Sequence, residues 1–405
     1  MSTENAFTRR PIISLLIVTS IMLLLIILLL EVILRFTPYK VFVETGQGAF
    51  PPMFIADEKA GFDLAKNYKN GRHSTIETEY AVHSNNIACF DNDVTLGKSH
   101  NLLVGDSFTW GFAPLDKKWT TILEKNTGQR FVKCGVPAYG TQQTLSKLKK
   151  VVKAIGKAPK TIIYAYYWND LNDDHTGLPS TVFEGNLINR IKSFNYDTGK
   201  VEYFSNEELL DTYQQYKKYG DSDYKSLSTY KKLKYWIKSN SIIANLIYNF
   251  VSSFNPPPAM ESIVKGNTAQ YKTYLSKMSV AKYPWIDRAW QKHLANIDKM
   301  INYAKSLNSK FMIIIIPTKD QVYPSNNITK DSLLNLTKSE KRLKKFLEDR
   351  NVLYFDLFEG FSKESKKTNN LYLSNDLHFT TEGEALAGKL ISEFVQKNKF
   401  LNVSK

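Results

Sequence analysis

The sequence predicts an α/β protein built on a mostly parallel sheet, carried on an N-terminal transmembrane helix and interrupted by a helical insertion. Three observations predict it. Five short, near-continuous apolar runs alternate with amphipathic helical segments between residues 101 and 357. A 20-residue stretch from Pro11 to Leu30 carries no charge. Residues 176–282 break the alternation with sequence crowded in tyrosine and lysine.

Residues 1–35 read as a cytoplasmic tail and transmembrane anchor. As a helix, PIISLLIVTSIMLLLIILLL spans about 30 Å, the thickness of a bilayer's hydrocarbon core. A cleaved leader is the rival reading, but the run exceeds the roughly 7 to 15 apolar residues of a signal peptide. The EVILRFTPYK that follows offers neither a small-residue cleavage site nor a cysteine for lipid attachment. Arg9 and Arg10 precede the run, so the positive-inside rule keeps that flank cytoplasmic and sends residues 36–405 outward. The expectation is a single-pass protein of the inner (cytoplasmic) membrane with its folded part periplasmic or otherwise extracytoplasmic. Chromosomal nucleic acid then drops out as a partner. The formal charge of +15 has to be explained by some other polyanion, such as anionic lipid or acidic glycan.

Hydrophobic residues make up 43% of the chain and aromatics 13%, which excludes a disordered chain. Two cysteines, Cys89 and Cys134, are too few for a disulfide framework and lack metal-ligand spacing; whether they pair stays open. Pro38, Pro51 and Pro52 punctuate residues 36–100, a juxtamembrane segment that suits a stalk or an extended stretch laid over a domain.

Residues 101–175 and 283–405 carry the sheet in two halves. NLLVG (101–105), RFVKCGV (130–136) and TIIYAYY (161–167) fall in the first, KFMIIIIP (310–317) and VLYFDL (352–357) in the second. Runs this apolar suit parallel strands covered on both faces. Helical segments lie between them: LSKLKKVVKAI, WQKHLANIDKMINYAKSL and SEKRLKKFLEDR. Trp290, Leu294, Ile297, Ile301 and Ala304 repeat at spacings of four and three, one face of an amphipathic helix. Between the halves, residues 176–282 read as a largely helical cap whose tyrosine- and lysine-rich part is followed by Pro256, Pro257 and Pro258.

The first strand runs straight into GDSFTWG, residues 105–111. A serine at the carboxyl end of a parallel strand lies where open α/β sheets place ligands, and a following helix aims its N-terminal dipole at developing negative charge. Ser107 is therefore a candidate nucleophile. Among six histidines, His378 in SNDLHFTTEG stands two residues after Asp376, which can orient the imidazole while it takes the serine proton. His175 is a weaker alternative base, and His293 is expected on a polar helix face. Three candidate oxyanion donors lie at strand ends: the Ser107 N–H, the Gly140 N–H in GVPAYGTQQ, and the Asn169 side-chain amide in YYWNDLND.

These four blocks, GDSFTWG, VPAYGTQ, WND and NDLHFTTEG, resemble those of the SGNH (GDSL) hydrolase family, in its bacterial single-pass membrane-anchored form. The resemblance implies a flavodoxin-like three-layer α/β/α fold. It implies Ser107 as nucleophile, His378 as base, Asp376 as its acid partner, and Gly140 and Asn169 beside Ser107 in the oxyanion hole. Relatives often place the acid where Asn375 stands, one residue before Asp376. Neither cofactor nor metal is implied. The expected function is a serine esterase or O-acyl (acetyl) transferase acting on envelope or exported polysaccharide. A multi-spanning acyltransferase or a polysaccharide-synthesis protein would be its partner. The alternatives are a lysophospholipase or other lipid esterase, and a non-catalytic glycan-binding component of an export system.

Overall fold

The computed structural model describes residues 11–37, 39–40, 52–75, 77–195, 197–219, 228–254, 283–324, 335–374 and 376–401. Arg9, Arg10, Asn375 and the triple proline lie outside the described residues. Those described fall into two compact units, one drawn from 1–48 and 210–257, the other from 49–209 and 258–405.

The apolar run forms α1 (Pro11–Leu34), and its membrane-length portion, Ile12–Leu34, has a mean hydropathy of 3.2 and no buried face. A helix so exposed and so apolar has the length and composition to cross a bilayer.

In the larger unit, two antiparallel hairpins come first, β1 (Phe54–Asp57) with β2 (Gly61–Leu64) and β3 (Gly71–Ser74) with β4 (Glu79–Val82). They pack Phe54, Phe62, Leu64, Tyr80 and Val82 against Trp110, Val136 and Tyr139. Most of the segment expected as a stalk or overlay is thus folded into this unit.

The chain then enters the sheet: β5 (Asn101–Gly105), α2 (Ser107–Trp110), α3 (Trp119–Thr127), β6 (Phe131–Gly135), α4 (Thr141–Ile155), β7 (Thr161–Tyr166) and α5 (Asp170–Thr176). Two further hairpins follow, β8 (Ser180–Phe183) with β9 (Asn186–Asn189) and β10 (Ile191–Phe194) with β11 (Val201–Tyr203). Among the described residues of the insertion three helices follow, α6 (Asn206–Tyr219), α7 (Thr229–Asn240) and α8 (Ile242–Phe254). The insertion is therefore helical only in its later part. Its first hairpin turns through Glu184 and Gly185, both at positive φ, the two-residue loop that a tight antiparallel pair needs.

The second half supplies α9 (Pro284–Ser306), β12 (Lys310–Ile315), α10 (Lys319–Val322), α11 (Lys338–Glu348), β13 (Leu353–Asp356), α12 (Phe358–Glu364) and α13 (Thr381–Lys397). The five long-predicted strands join in the order β13-β12-β7-β5-β6, all parallel. That is the flavodoxin-like order, with its topological switch between β5 and β7. Alternate residues of each strand feed opposite cores. Leu103, Ile163, Met312 and Ile314 meet α3 and α13 through Leu123, Ala387 and Ile391. Leu102, Val104, Ile313 and Ile315 meet α4, α9 and α11 through Leu148, Met300 and Leu343. Covering both faces explains why the strands read as unbroken apolar runs.

Cys89 and Cys134 are joined by a disulfide, tying the segment before β5 to β6 across 45 residues. Closing a loop of that length stabilises a fold by about 4 kcal/mol on the chain-entropy estimate.

Candidate active site

The nucleophile arm is built by glycine. Gly105 ends β5 with φ of +151°, and a Cβ there would stand 2.7 Å from the Ala165 carbonyl oxygen of the neighbouring strand. At Gly135, opposite it on β6, a Cβ would run into the backbone of Thr109 and Trp110. Only with both side chains missing can α2 lie directly on the strand ends. Asp106 caps this short helix, accepting the Phe108 N–H at 2.9 Å. Ser107 follows as the first helical residue, so its own N–H has no intrahelical acceptor.

The sequence separates Ser107 and His378 by 271 residues, yet Ser107 Oγ lies 2.8 Å from His378 Nε2. His378 Nδ1 stands 2.5 Å from Asp376 Oδ1, and the same oxygen accepts the His378 backbone N–H at 2.9 Å. Partial burial opposes ionisation of Asp376, but the hydrogen bonds from His378 outweigh it and hold the carboxyl down to about 2. An ionised carboxylate can only accept, so Nδ1 carries the proton and Nε2 is left to accept the Ser107 O–H. The imidazole lies between two rings. Phe112 stacks on it at 3.7 Å and an angle of 9°, and Phe108 is tilted at 4.9 Å. Behind Phe112 sit His73, fully buried and depressed to about 4 chiefly by that burial, and Tyr80 stacked on His73. Both come from the hairpin β3–β4, whose place here no motif or spacing marks.

Two side chains hold the turn that carries the acid. Lys319, at the start of α10, donates through Nζ to the carbonyls of Leu373 at 2.6 Å, Ser374 at 2.8 Å and Asp376 at 3.4 Å. Glu77 accepts the Ser374 N–H at 2.6 Å. Neither residue stands out in the sequence, because a lysine aimed at backbone carbonyls leaves no pattern in spacing.

Gly140 and Asn169 both reach this edge of the sheet, but each is engaged. The Gly140 N–H donates to Gln143 Oε1 at 3.1 Å, closing the N-terminus of α4. Asn169 Nδ2 donates to Asp173 at 3.1 Å, and its Oδ1 is buried without a hydrogen-bond partner. Beneath them lies a buried carboxylate cluster. Burial lifts Asp106 to about 6 despite its N–H donor. Asp170, which accepts from Tyr164, is raised well above the ordinary carboxylate range by burial and by Asp106.

The other histidines are elsewhere. His175 Nε2 lies 2.8 Å from the Gly199 carbonyl, its ring against Trp285. His293 is not on a polar face. It is fully buried, with Nδ1 2.7 Å from Asp174. Its spacing of three from Trp290 and four to Ile297 sets it on the apolar face of α9, where Asp174 pairs with Nδ1 while Nε2 is buried without a hydrogen-bond partner.

Residues 283–405 match the family described as SGNH hydrolase-like domain, acetyltransferase AlgX. The match includes Asp376 and His378 and stops short of Ser107. No curated protein matches the chain. Among solved structures, a member of the lipolytic protein G-D-S-L family from Veillonella parvula is similar at 10% identity, covering 74% of this chain and 100% of its own, with a TM-score of 0.38. A catalytic mutant of an acetylxylan esterase from Geobacillus stearothermophilus is similar at 11% identity over 77% and 99%, TM-score 0.36. A GDSL-like lipase from Bacteroides thetaiotaomicron is similar at 12% identity over 74% and 88%, TM-score 0.34. At these scores the likenesses carry no argument about function.

Proposed function

We propose that this chain, a member of the SGNH (GDSL) hydrolase family, is a membrane-anchored serine esterase or O-acetyl transferase of envelope or exported polysaccharide. The observation that carries the reading is the unbroken line from Ser107 Oγ through His378 to Asp376. Ser107 attacks the acyl carbonyl while His378 Nε2 takes the hydroxyl proton, and Asp376 stabilises the imidazolium that results. The imidazolium then returns its proton to the departing sugar hydroxyl, leaving an acyl-serine. Water or a second sugar hydroxyl, deprotonated by His378, relieves it. In this reading the Ser107 N–H receives the oxyanion, joined by the Asn169 amide once Asp173 releases it. Gly140 joins them only after Gln143 releases its N–H.

An acidic glycan suits the charge distribution. The first 35 residues hold three basic and two acidic side chains, so +14 of the total +15 lies beyond them. The Cys89–Cys134 disulfide supports an oxidising, extracytoplasmic compartment, and the apolar helix α1 supports a single-pass anchor in the inner membrane. A multi-spanning acyltransferase would be the partner if the acyl group is passed on rather than released.

Replacing Ser107 with alanine tests the reading. Full-length Ser107→Ala protein should release no p-nitrophenol from p-nitrophenyl acetate while unfolding at the wild-type temperature. Retained turnover would remove Ser107 as nucleophile.

A further inference from the structure

We infer that α7 is an interfacial helix, lying on the anionic bilayer surface beside the point where α1 leaves the membrane. The inference rests on the reading of α1 as a membrane anchor, and the unit containing both helices carries it.

The corner between α7 and α8 is clipped to the end of the apolar run. Glu31, the residue immediately after that run, accepts the N–H groups of Ile242 and Ile243 at 2.9 and 3.1 Å and the Ser241 hydroxyl at 3.0 Å. A carboxylate there satisfies the open N–H groups of α8 and complements its dipole. Arg35, one turn on, donates to the Asn240 carbonyl at 2.8 Å and so closes the end of α7. The charged pair Glu31 and Arg35 marks the membrane–water boundary of α1. A helix of 12 residues is about 18 Å long, so all of α7 stays within that distance of the boundary.

The exposed side of α7 has the composition that this position calls for. Tyr230, Leu233, Trp236 and Ile237 are 73, 56, 60 and 41% exposed. At 100° per residue they fill an arc of about 120° along the helix. Lys231 and Lys234 lie to one side of that arc and Lys232 to the other. An exposed aromatic and aliphatic stripe bordered by lysines fits headgroups and upper acyl chains, where tryptophan and tyrosine settle and each lysine gains about 1 kcal/mol from anionic lipid. On α8, Ile247 and Phe250 are exposed as well, at 57 and 64%.

Site-directed spin labelling of the full chain in vesicles of phosphatidylethanolamine and phosphatidylglycerol tests this, since the two native cysteines are paired and take no label. Single labels at Leu233→Cys and Trp236→Cys should show an oxygen-to-nickel-chelate accessibility ratio several-fold above labels at Lys231→Cys and Lys234→Cys. Replacing phosphatidylglycerol with phosphatidylcholine should lower the ratio at 233 and 236. Equal ratios at all four positions would overturn the inference. So would immobile labels at 233 and 236 that neither reagent reaches, which would mean a protein covers the stripe, or ratios that ignore lipid charge. A label at Leu23→Cys separates the two readings: if it is reached by the nickel chelate, the anchor itself has failed.

Discussion

Ser107 and His378 stand in hydrogen-bond contact, but the two arms that deliver them are made differently. Ser107 is 8% exposed and sits on a helix pressed onto the sheet through Gly105 and Gly135, where no side chain fits. The acid–base arm rides a turn in which Asp376 is 41% exposed, held mainly by Lys319, Glu77 and the backbone bond between Leu373 and His378. The proposed nucleophile, fixed by close backbone packing, faces a proposed base whose position depends on a few polar contacts. The difference places catalytic sensitivity in the second arm and folding sensitivity in the first.

The largest effect should come from the charge in the second arm. Asp376→Asn keeps the size of the side chain but removes the acceptor that fixes the His378 tautomer, and kcat should fall by up to about 10,000-fold, as in a serine-protease triad. Esterase kinetics on the full-length variant check it, with thermal unfolding as the control. A loss within about threefold would mean that His378 works without this acid.

Next comes the lysine that holds the turn. Lys319→Met removes donors to three carbonyls, that of Asp376 among them, without altering the side chains of Ser107, His378 or Asp376. Misplacing a base by about 1 Å costs on the order of 100-fold, so kcat should drop by about 10- to 100-fold with KM and Tm little changed. An equal loss of Tm and activity would show that Lys319 supports the fold rather than the turn.

The smallest effect concerns the link between the arms. Glu384, at the start of α13, accepts the Trp119 N–H at 2.8 Å, and it also bonds the Phe112 N–H, so it ties the loop after Ser107 to the helix after His378. Burial raises its carboxyl to about 7 against those donors and against the buried Lys118 nearby, whose own pKa burial pulls well below the usual lysine value. An acid with a folded pKa above its unfolded value binds more protons when folded, so its contribution to stability falls as pH rises from about 4.5 to about 7. Glu384→Gln abolishes that linkage. The Tm of the variant relative to wild type should therefore climb by a few degrees across this interval, as scanning calorimetry would show; a flat difference would place the titration elsewhere.

The contrast also explains what could be read from the chain. The five strands were legible because burial on both faces leaves runs such as FMIIII with no polar alternation to confuse them. Ser107 was legible as a polar residue just past the end of such a strand, and Asp376 and His378 as an acid and an imidazole two residues apart ahead of α13. The hairpins β1 to β4 and β8 to β11 were not, since their strands are three or four residues long and many are half exposed. His293 was misplaced by its polarity, although its spacing already pointed inward. Lys319 and Glu77 could not be found at all, because they act on backbone atoms 54 and 297 residues away.

In the proposed mechanism Ser107 Oγ is the atom acylated. Full-length protein mixed with p-nitrophenyl acetate, quenched in acid during the first turnover and analysed by intact mass and peptide mapping, tests it most directly. The account expects one acetyl group per chain on the peptide containing Ser107, absent from Ser107→Ala. Complete turnover with Ser107 unmodified, or an acetyl group that persists at another residue in Ser107→Ala, would contradict it.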